Sequence, residues 1–198
     1  DENDSINNLP SGEFTLFILD SNNCAFDSTF IVTEADKIEI SDVAIINNSC
    51  FNDSLGEISV NTIGGTGIIY YEWNSNSFEN TINAEIISNL PSDTFYLSLS
   101  DDNLCRLDTF FVITSPNAIN ASITILDANC GLSDGSAISS PFGGTTNTSD
   151  YTYSWKNDVS VEVSNSNSLN SQFSGSYTLT LTDDNDCSLD TTFTILDT

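Results

Sequence analysis

The sequence predicts an all-β protein built as a tandem array of sandwich repeats. Three observations predict it. One segment recurs three times, as FTLFILDSNNCAFDSTFIV (14–32), FYLSLSDDNLCRLDTFFVI (95–113) and YTLTLTDDNDCSLDTTFTI (177–195), and its cysteines, Cys24, Cys105 and Cys187, stand 81 and 82 residues apart. A fixed period of this length marks an array of like units. Short runs of alternating apolar and polar residues are separated by clusters of Asn, Asp, Ser and Gly, and no long stretch keeps a helical period. A second block also recurs: CFNDSLGEISVNTIGGTGIIYYEW (50–73) matches CGLSDGSAISSPFGGTTNTSDYTYSW (130–155).

In the first recurring segment each element can be justified in turn. Phe14, Leu16 and Ile18 share one face of its first strand, as do Phe95, Leu97 and Leu99, and then Tyr177, Leu179 and Leu181. Thr178, Thr180 and Thr182 fill the opposite face of the third copy, the pattern of a strand buried on one side. The returning strand repeats it with Phe30 and Val32, Phe111 and Ile113, Phe193 and Ile195. Between the two lie hairpin-turn residues, SNN after Asp20, then DDNL and DDND.

The upstream block begins with Cys50 or Cys130, each eight residues before an isoleucine, Ile58 or Ile138. Gly64-Gly65-Thr66 and Gly143-Gly144-Thr145 follow, suited to a bend with φ > 0. A tyrosine-rich strand then ends in Trp73 or Trp155, with a three-residue insertion before the second. A Trp on a central strand and a Tyr near the start of a late one suit a sandwich. The tryptophans read as core; a sugar-stacking platform would need their rings exposed. The units are therefore 1–35, the C-terminal part of a truncated first repeat, then 36–116 and 117–198, two complete sandwiches.

Composition excludes several functions. The chain of 198 residues has 29 acidic residues, three basic ones (Lys37, Arg106, Lys156) and no histidine, for a net charge of −26. Without a basic patch it has no means of neutralising nucleic-acid phosphates, and it is repelled by anionic membrane surfaces. No apolar run approaches a membrane span. Ser-His and Cys-His nucleophile systems are absent, no Gly-rich loop opens a helix to cradle phosphate, and adjacent Asp-Asp on a turn is not a pair facing across a cleft. The expectation is a non-enzyme.

The ordered set Cys130, Ile138, Gly143, Gly144, Tyr153, Trp155, Gly175, Tyr177, Asp183, Asn185 and Cys187 resembles the repeats of SprB-type gliding-motility adhesins of Bacteroidota. The second unit matches through Cys50, Ile58, Gly64, Gly65, Tyr71 or Tyr70, Trp73, Phe95, Asp101, Asn103 and Cys105. The family often carries Gly just before the second cysteine, where this chain has Leu104 and Asp186. The resemblance implies immunoglobulin-like or PKD-like sandwiches, exported by the type IX system to the outer surface. It implies a filamentous adhesin that supports gliding motility and attachment. Its partners would be neighbouring repeats, surface polysaccharide or substratum, and the motility machinery. The alternative is a passive stalk that spaces a separate binding or catalytic head. An exposed aromatic patch on one unit would favour direct binding; a smooth acidic surface would favour the stalk.

Five cysteines in an exported acidic chain predict disulfides. One pairing joins Cys50 to Cys105 and Cys130 to Cys187 within each unit, leaving Cys24 unpaired by truncation. The other joins Cys24 to Cys50 and Cys105 to Cys130 across the boundaries. A topological objection stands against the first: the end of the first strand and the final hairpin turn lie at opposite ends of a standard sandwich. For the acidic turns there are also two readings. Asp101, Asp102, Asn103 and Asp108, with Asp183, Asp184, Asn185 and Asp190, offer the hard oxygen donors that calcium takes, with Asp53 or Asp134 joining from the other cysteine loop. The same residues also make hairpin turns with solvated charge.

Overall fold

The computed structural model describes residues 5–77, 81–146 and 151–198, and within them every regular element is a strand. The first pair is β1 (Gly12–Leu19) and β2 (Ala25–Val32). Next come β3 (Glu39–Ile46), β4 (Gly56–Ile63), β5 (Tyr70–Asn74), β6 (Thr81–Ile82), β7 (Ile86–Leu90), β8 (Asp93–Ser100) and β9 (Arg106–Ile113). The last seven are β10 (Asn120–Leu126), β11 (Gly135–Phe142), β12 (Thr152–Asn157), β13 (Glu162–Ser164), β14 (Ser168–Gln172), β15 (Gly175–Thr182) and β16 (Ser188–Ile195). A three-stranded sheet β3-β4-β7 and a four-stranded sheet β6-β5-β8-β9 form one sandwich; β10-β11-β14 and β13-β12-β15-β16 form the next. All pairings within these sheets are antiparallel, and the chain changes sheet after β4, β6 and β7, the immunoglobulin-like way of closing two sheets over one core.

Alternation along the strands explains each core. Phe95, Leu97 and Leu99 of β8 point inward with Trp73, Ile58, Val60 and Ile113, and Tyr177, Leu179 and Leu181 of β15 point inward with Trp155, Leu169 and Ile195. Both indole rings are fully buried, so neither serves as a sugar platform. Their Nε1 groups donate to Ala84 O (2.8 Å) and Ser166 O (2.7 Å), satisfying the polar edge inside the core. Phe111 lies against Trp73, and Phe193 meets Trp155 edge-on at 5.5 Å. Tyr177 is buried too, and its hydroxyl donates to Phe173 O, four residues upstream, a tyrosine-corner contact.

The two isoleucines at equal distance from their cysteines are not structurally equivalent. Ile58 is fully buried, but Ile138 is 51% exposed. The loop from Cys130 to Gly135 is one residue shorter than that from Cys50 to Gly56. Gly56 and Gly135 occupy the same tight corner, where a Cβ would stand 2.7 Å from Ile113 Cγ2 or Ile195 Cγ2. Counting from that glycine, Ala137 takes the place of Ile58 and Ser139 that of Val60. A shift of one residue moves a strand's side chains to the other face.

Candidate functional site at the joint between the sandwiches

Each sandwich has an entrance end and an exit end, and the recurring motifs build both. At the entrance, Gly64 and Gly65 adopt φ of +76° and +72°, and Gly143 and Gly144 adopt +85° and +62°. A Cβ at Gly64 would lie 1.9 Å from Lys37 O, and one at Gly143 2.0 Å from Ala118 O, so side chains are excluded on two grounds. The bend meets the hairpin turn through one carboxylate. Asp101 Oδ2 accepts from Thr66 N (2.9 Å), and its Oδ1 accepts from Asn103 N and Cys105 N (both 2.9 Å). In the third unit Asp183 repeats this with Thr145 N (2.8 Å), Asn185 N and Cys187 N (both 2.9 Å). Burial alone would raise the Asp101 pKa, but the N–H groups of Thr66, Cys105 and Asn103 outweigh it and hold the carboxyl below its ordinary 3.8. In the first hairpin Asp20 accepts from Asn22 N and Cys24 N (both 2.8 Å); these bonds, that from Cys24 first, lower its pKa.

The acidic residues expected to gather around calcium are thus dispersed. Asp101 and Asp183 face inward and cap the turn. Asp102 accepts from Ile68 N and from the Tyr70 hydroxyl, and Asp184 N donates to Thr145 O. Asp108 and Asp190 lie on the outer face, where their Oδ1 atoms accept from Ser98 Oγ and Thr180 Oγ1, each at 2.6 Å. Asn103 and Asn185 lend backbone N–H groups. Asp53 and Asp134 hold the loops at the exit end, accepting from Cys50 N and from the N and Nδ2 of Asn129. Among the described residues no three acidic or cysteine side chains converge as a metal set. Turns built by Asp and Asn use the same atoms a cation would, which is why sequence left both readings open.

The exit end explains the cysteines. After β3 the chain crosses to the end of β9: Asn48 N donates to Thr114 O (3.0 Å), and the buried Asn48 side chain ties Leu90 O to Leu55 N. Cys50 follows directly and sits at this end. Cys105 lies at the opposite end, before the eight residues of β9, a rise of roughly 26 Å. Disulfide partners need Cα atoms within about 7 Å. Both sequence pairings are therefore corrected. Cys50–Cys105 and Cys130–Cys187 each span the length of one sandwich. Cys24–Cys50 is ruled out because Cys50 has another partner, and Cys105 and Cys130 both carry free thiols. The structure instead bonds Cys50, at the exit of the second sandwich, to Cys187, at the entrance of the third, with Cα atoms 5.6 Å apart. Cys24, Cys105 and Cys130 are unpaired and exposed.

Around the bond the two units touch. Asn185 Nδ2 donates to Ser49 O (3.1 Å). A cleft of ≈ 380 Å³ opens beside the disulfide, with Phe51 on one side and Ile119, Gly144 and Leu189 on the other. The bond and the Asn185 contact tie together two units of one highly acidic chain, whose like charges repel.

No family model and no curated protein matches the chain. Solved structures do, at low identity. Three N-terminal domains of the bacteriophage RB49 highly immunogenic outer capsid protein match 82% of this chain at 14% identity with a TM-score of 0.44; the chain spans 59% of that three-domain structure. An amphioxus IgVJ-C2 molecule matches 82% of the chain and is itself covered to 98%, at 8% identity and TM-score 0.32. Immunoglobulin domains 1–5 of Sidekick-1 match 92% of the chain and are covered to 44%, at 10% identity and TM-score 0.35.

The outer faces of the four-stranded sheets differ between units. In the second sandwich Tyr96 pairs with Phe110, their rings 6.3 Å apart and both more than half exposed, with exposed Val112 alongside. The third has Thr178, Thr192 and Thr194 in these places. A disulfide persists in oxidising compartments, and no helix among the described residues is long and apolar enough to cross a membrane.

Proposed function

We propose that this chain is a shaft segment of a filamentous cell-surface adhesin that supports gliding motility and attachment to surfaces. The observation that carries the reading is the Cys50–Cys187 bond. A bond between units adds nothing to a catalytic centre, but it transmits tension and holds orientation along an array. The net charge of −26 supports an extended, soluble filament, and the repeat motifs supply the resemblance to gliding adhesins. The role is structural rather than catalytic, and its setting is the outer cell surface, reached by export. Within the shaft the Tyr96–Phe110–Val112 face favours contact of the second sandwich with substratum or polysaccharide, while the threonine face of the third suits a spacer.

Beads carrying antibody against this chain, applied to living source cells, test the reading. Beads that travel along the cell are the expected result. Beads that bind and stay put would replace a driven adhesin with a static stalk, whose function lies in a separate head.

A further inference from the structure

The three unpaired cysteines are equivalent to the two bonded ones. Cys130 occupies in the third unit the place of Cys50 in the second, at the exit end. Cys24 and Cys105 occupy the place of Cys187, in the turn at the entrance end. Their surroundings are already built. In all three turns the aspartate N–H donates to the carbonyl of the cysteine four residues on, at 3.0–3.2 Å, and the aspartate Oδ1 binds the cysteine N–H. Asn185, whose amide reaches across to Ser49 O, has counterparts in Asn22 and Asn103, both exposed. On the exit side Cys130 N donates to Thr198 O (3.2 Å) and Gly131 N to Asp197 Oδ1 (3.3 Å), which fixes the loop on the end of β16. Leu132 stands exposed beside Cys130, much as Phe51 flanks Cys50 over the cleft.

We propose that Cys130 is the exit half of a joint, and Cys24 and Cys105 entrance halves, each fitted to the complementary cysteine of a further copy of this repeat. The proposal deepens the array reading above and rests on it. It gives one rule, exit cysteine of a unit to entrance cysteine of the next, that accounts for the bonded pair and for which three thiols are left over. The bond forms by thiol–disulfide exchange with a low-molecular-weight disulfide. One cysteine thiolate attacks that disulfide and expels one thiolate. The second cysteine thiolate then attacks the mixed disulfide and expels the other. Two protein thiols are oxidised and one small disulfide is reduced to two thiols. The interface is heterologous, so copies add head to tail into an open filament.

The test incubates the purified chain at roughly millimolar concentration, comparable to tethered neighbours, in a mixture of oxidised and reduced glutathione. Non-reducing electrophoresis and peptide mapping then identify the cross-links. A ladder of oligomers is expected, with Cys130 joined to Cys24 or Cys105 at least tenfold more often than Cys130 to Cys130 or one turn cysteine to another. Cys130→Ser should abolish the ladder, and so should Cys24→Ser with Cys105→Ser. All three side chains are exposed, so the variants retain the fold. Pairing in proportion to thiol numbers, a ladder that survives Cys130→Ser, or no cross-link would each overturn the proposal. The Cys50–Cys187 peptide in the same digest reports on the joint itself, and the bead assay on the array's role, so the two failures are distinguishable.

Discussion

In the second sandwich β4 sends Ile58 and Val60 into the core; in the third, β11 sends Ala137 and Ser139 to the same places. The frame around them does not change. Gly56 and Gly135 hold the same corner, Trp73 and Trp155 donate to equivalent carbonyls, and Asp101 and Asp183 tie the same bend to the same turn. The comparison teaches that the repeat keeps its ends and its tryptophan while its fill varies. The ends are where units meet, so a change there alters two units; a change in fill alters one.

Truncating the tryptophans tests the shared frame most severely. Trp73→Ala and Trp155→Ala are expected to destabilise their own sandwiches by about 3–5 kcal/mol each, read as separate transitions in denaturant titration. Equal losses would place the frame above the fill; a much smaller loss in the third unit would put its thinner core in charge. Next comes the joint. Cys187→Ser should cost about 2–4 kcal/mol by releasing a long loop, and should broaden the distribution of molecular dimensions in X-ray scattering, while Cys130→Ser changes neither. The fill itself can be corrected. Ser139 Oγ is buried and has no hydrogen-bond partner among the described residues, where the second sandwich has Val60. Ser139→Val should stabilise the third sandwich by about 1–2 kcal/mol in the same titration.

Two smaller effects concern the turns. Leu104 holds φ +64° with its side chain 82% exposed, so Leu104→Gly should relieve the backbone and raise stability by about 0.5–1 kcal/mol, visible as a higher melting temperature. The last is confined to acid. Asp101 titrates below 3.8 in the folded protein, so its contribution is complete above that pH and is lost as pH falls through the lower folded value. The gap in melting temperature between the native chain and Asp101→Asn should be wide at neutral pH and close below pH 3.8.

Much of this fold is legible in the sequence because local alternation dictates it. Phe95, Leu97 and Leu99 recur as Tyr177, Leu179 and Leu181, and all six lie inside. The first hairpin marks the limit of such reading. Leu16 and Ile18 have the same spacing, yet they are 43% and 49% exposed, because no second sheet covers them among the described residues. Alternation names a face; only a partner buries it. Counting from the cysteine sets Ile138 against Ile58 for a different reason, since it ignores a loop shortened by one residue. The disulfide was hidden most deeply. Strand patterning raises an objection to a Cys50–Cys105 bond by placing the two at opposite ends of one unit, but local sequence carries no signal that one unit's exit faces the next unit's entrance. The acidic turns carried two readings because a carboxylate that caps a turn and one that binds a cation have the same composition. The recurrence of Gly-Gly-Thr with Asp-x-Asn-x-Cys in every complete unit was the available signal that these motifs bind each other.

The most direct measurement is mass-spectrometric mapping of disulfides in the unreduced chain. The account predicts a linked peptide pair containing Cys50 and Cys187, with Cys24, Cys105 and Cys130 recovered as thiols. Peptides joining Cys50 to Cys105, or Cys130 to Cys187, would contradict it, and would confine each disulfide to a single sandwich.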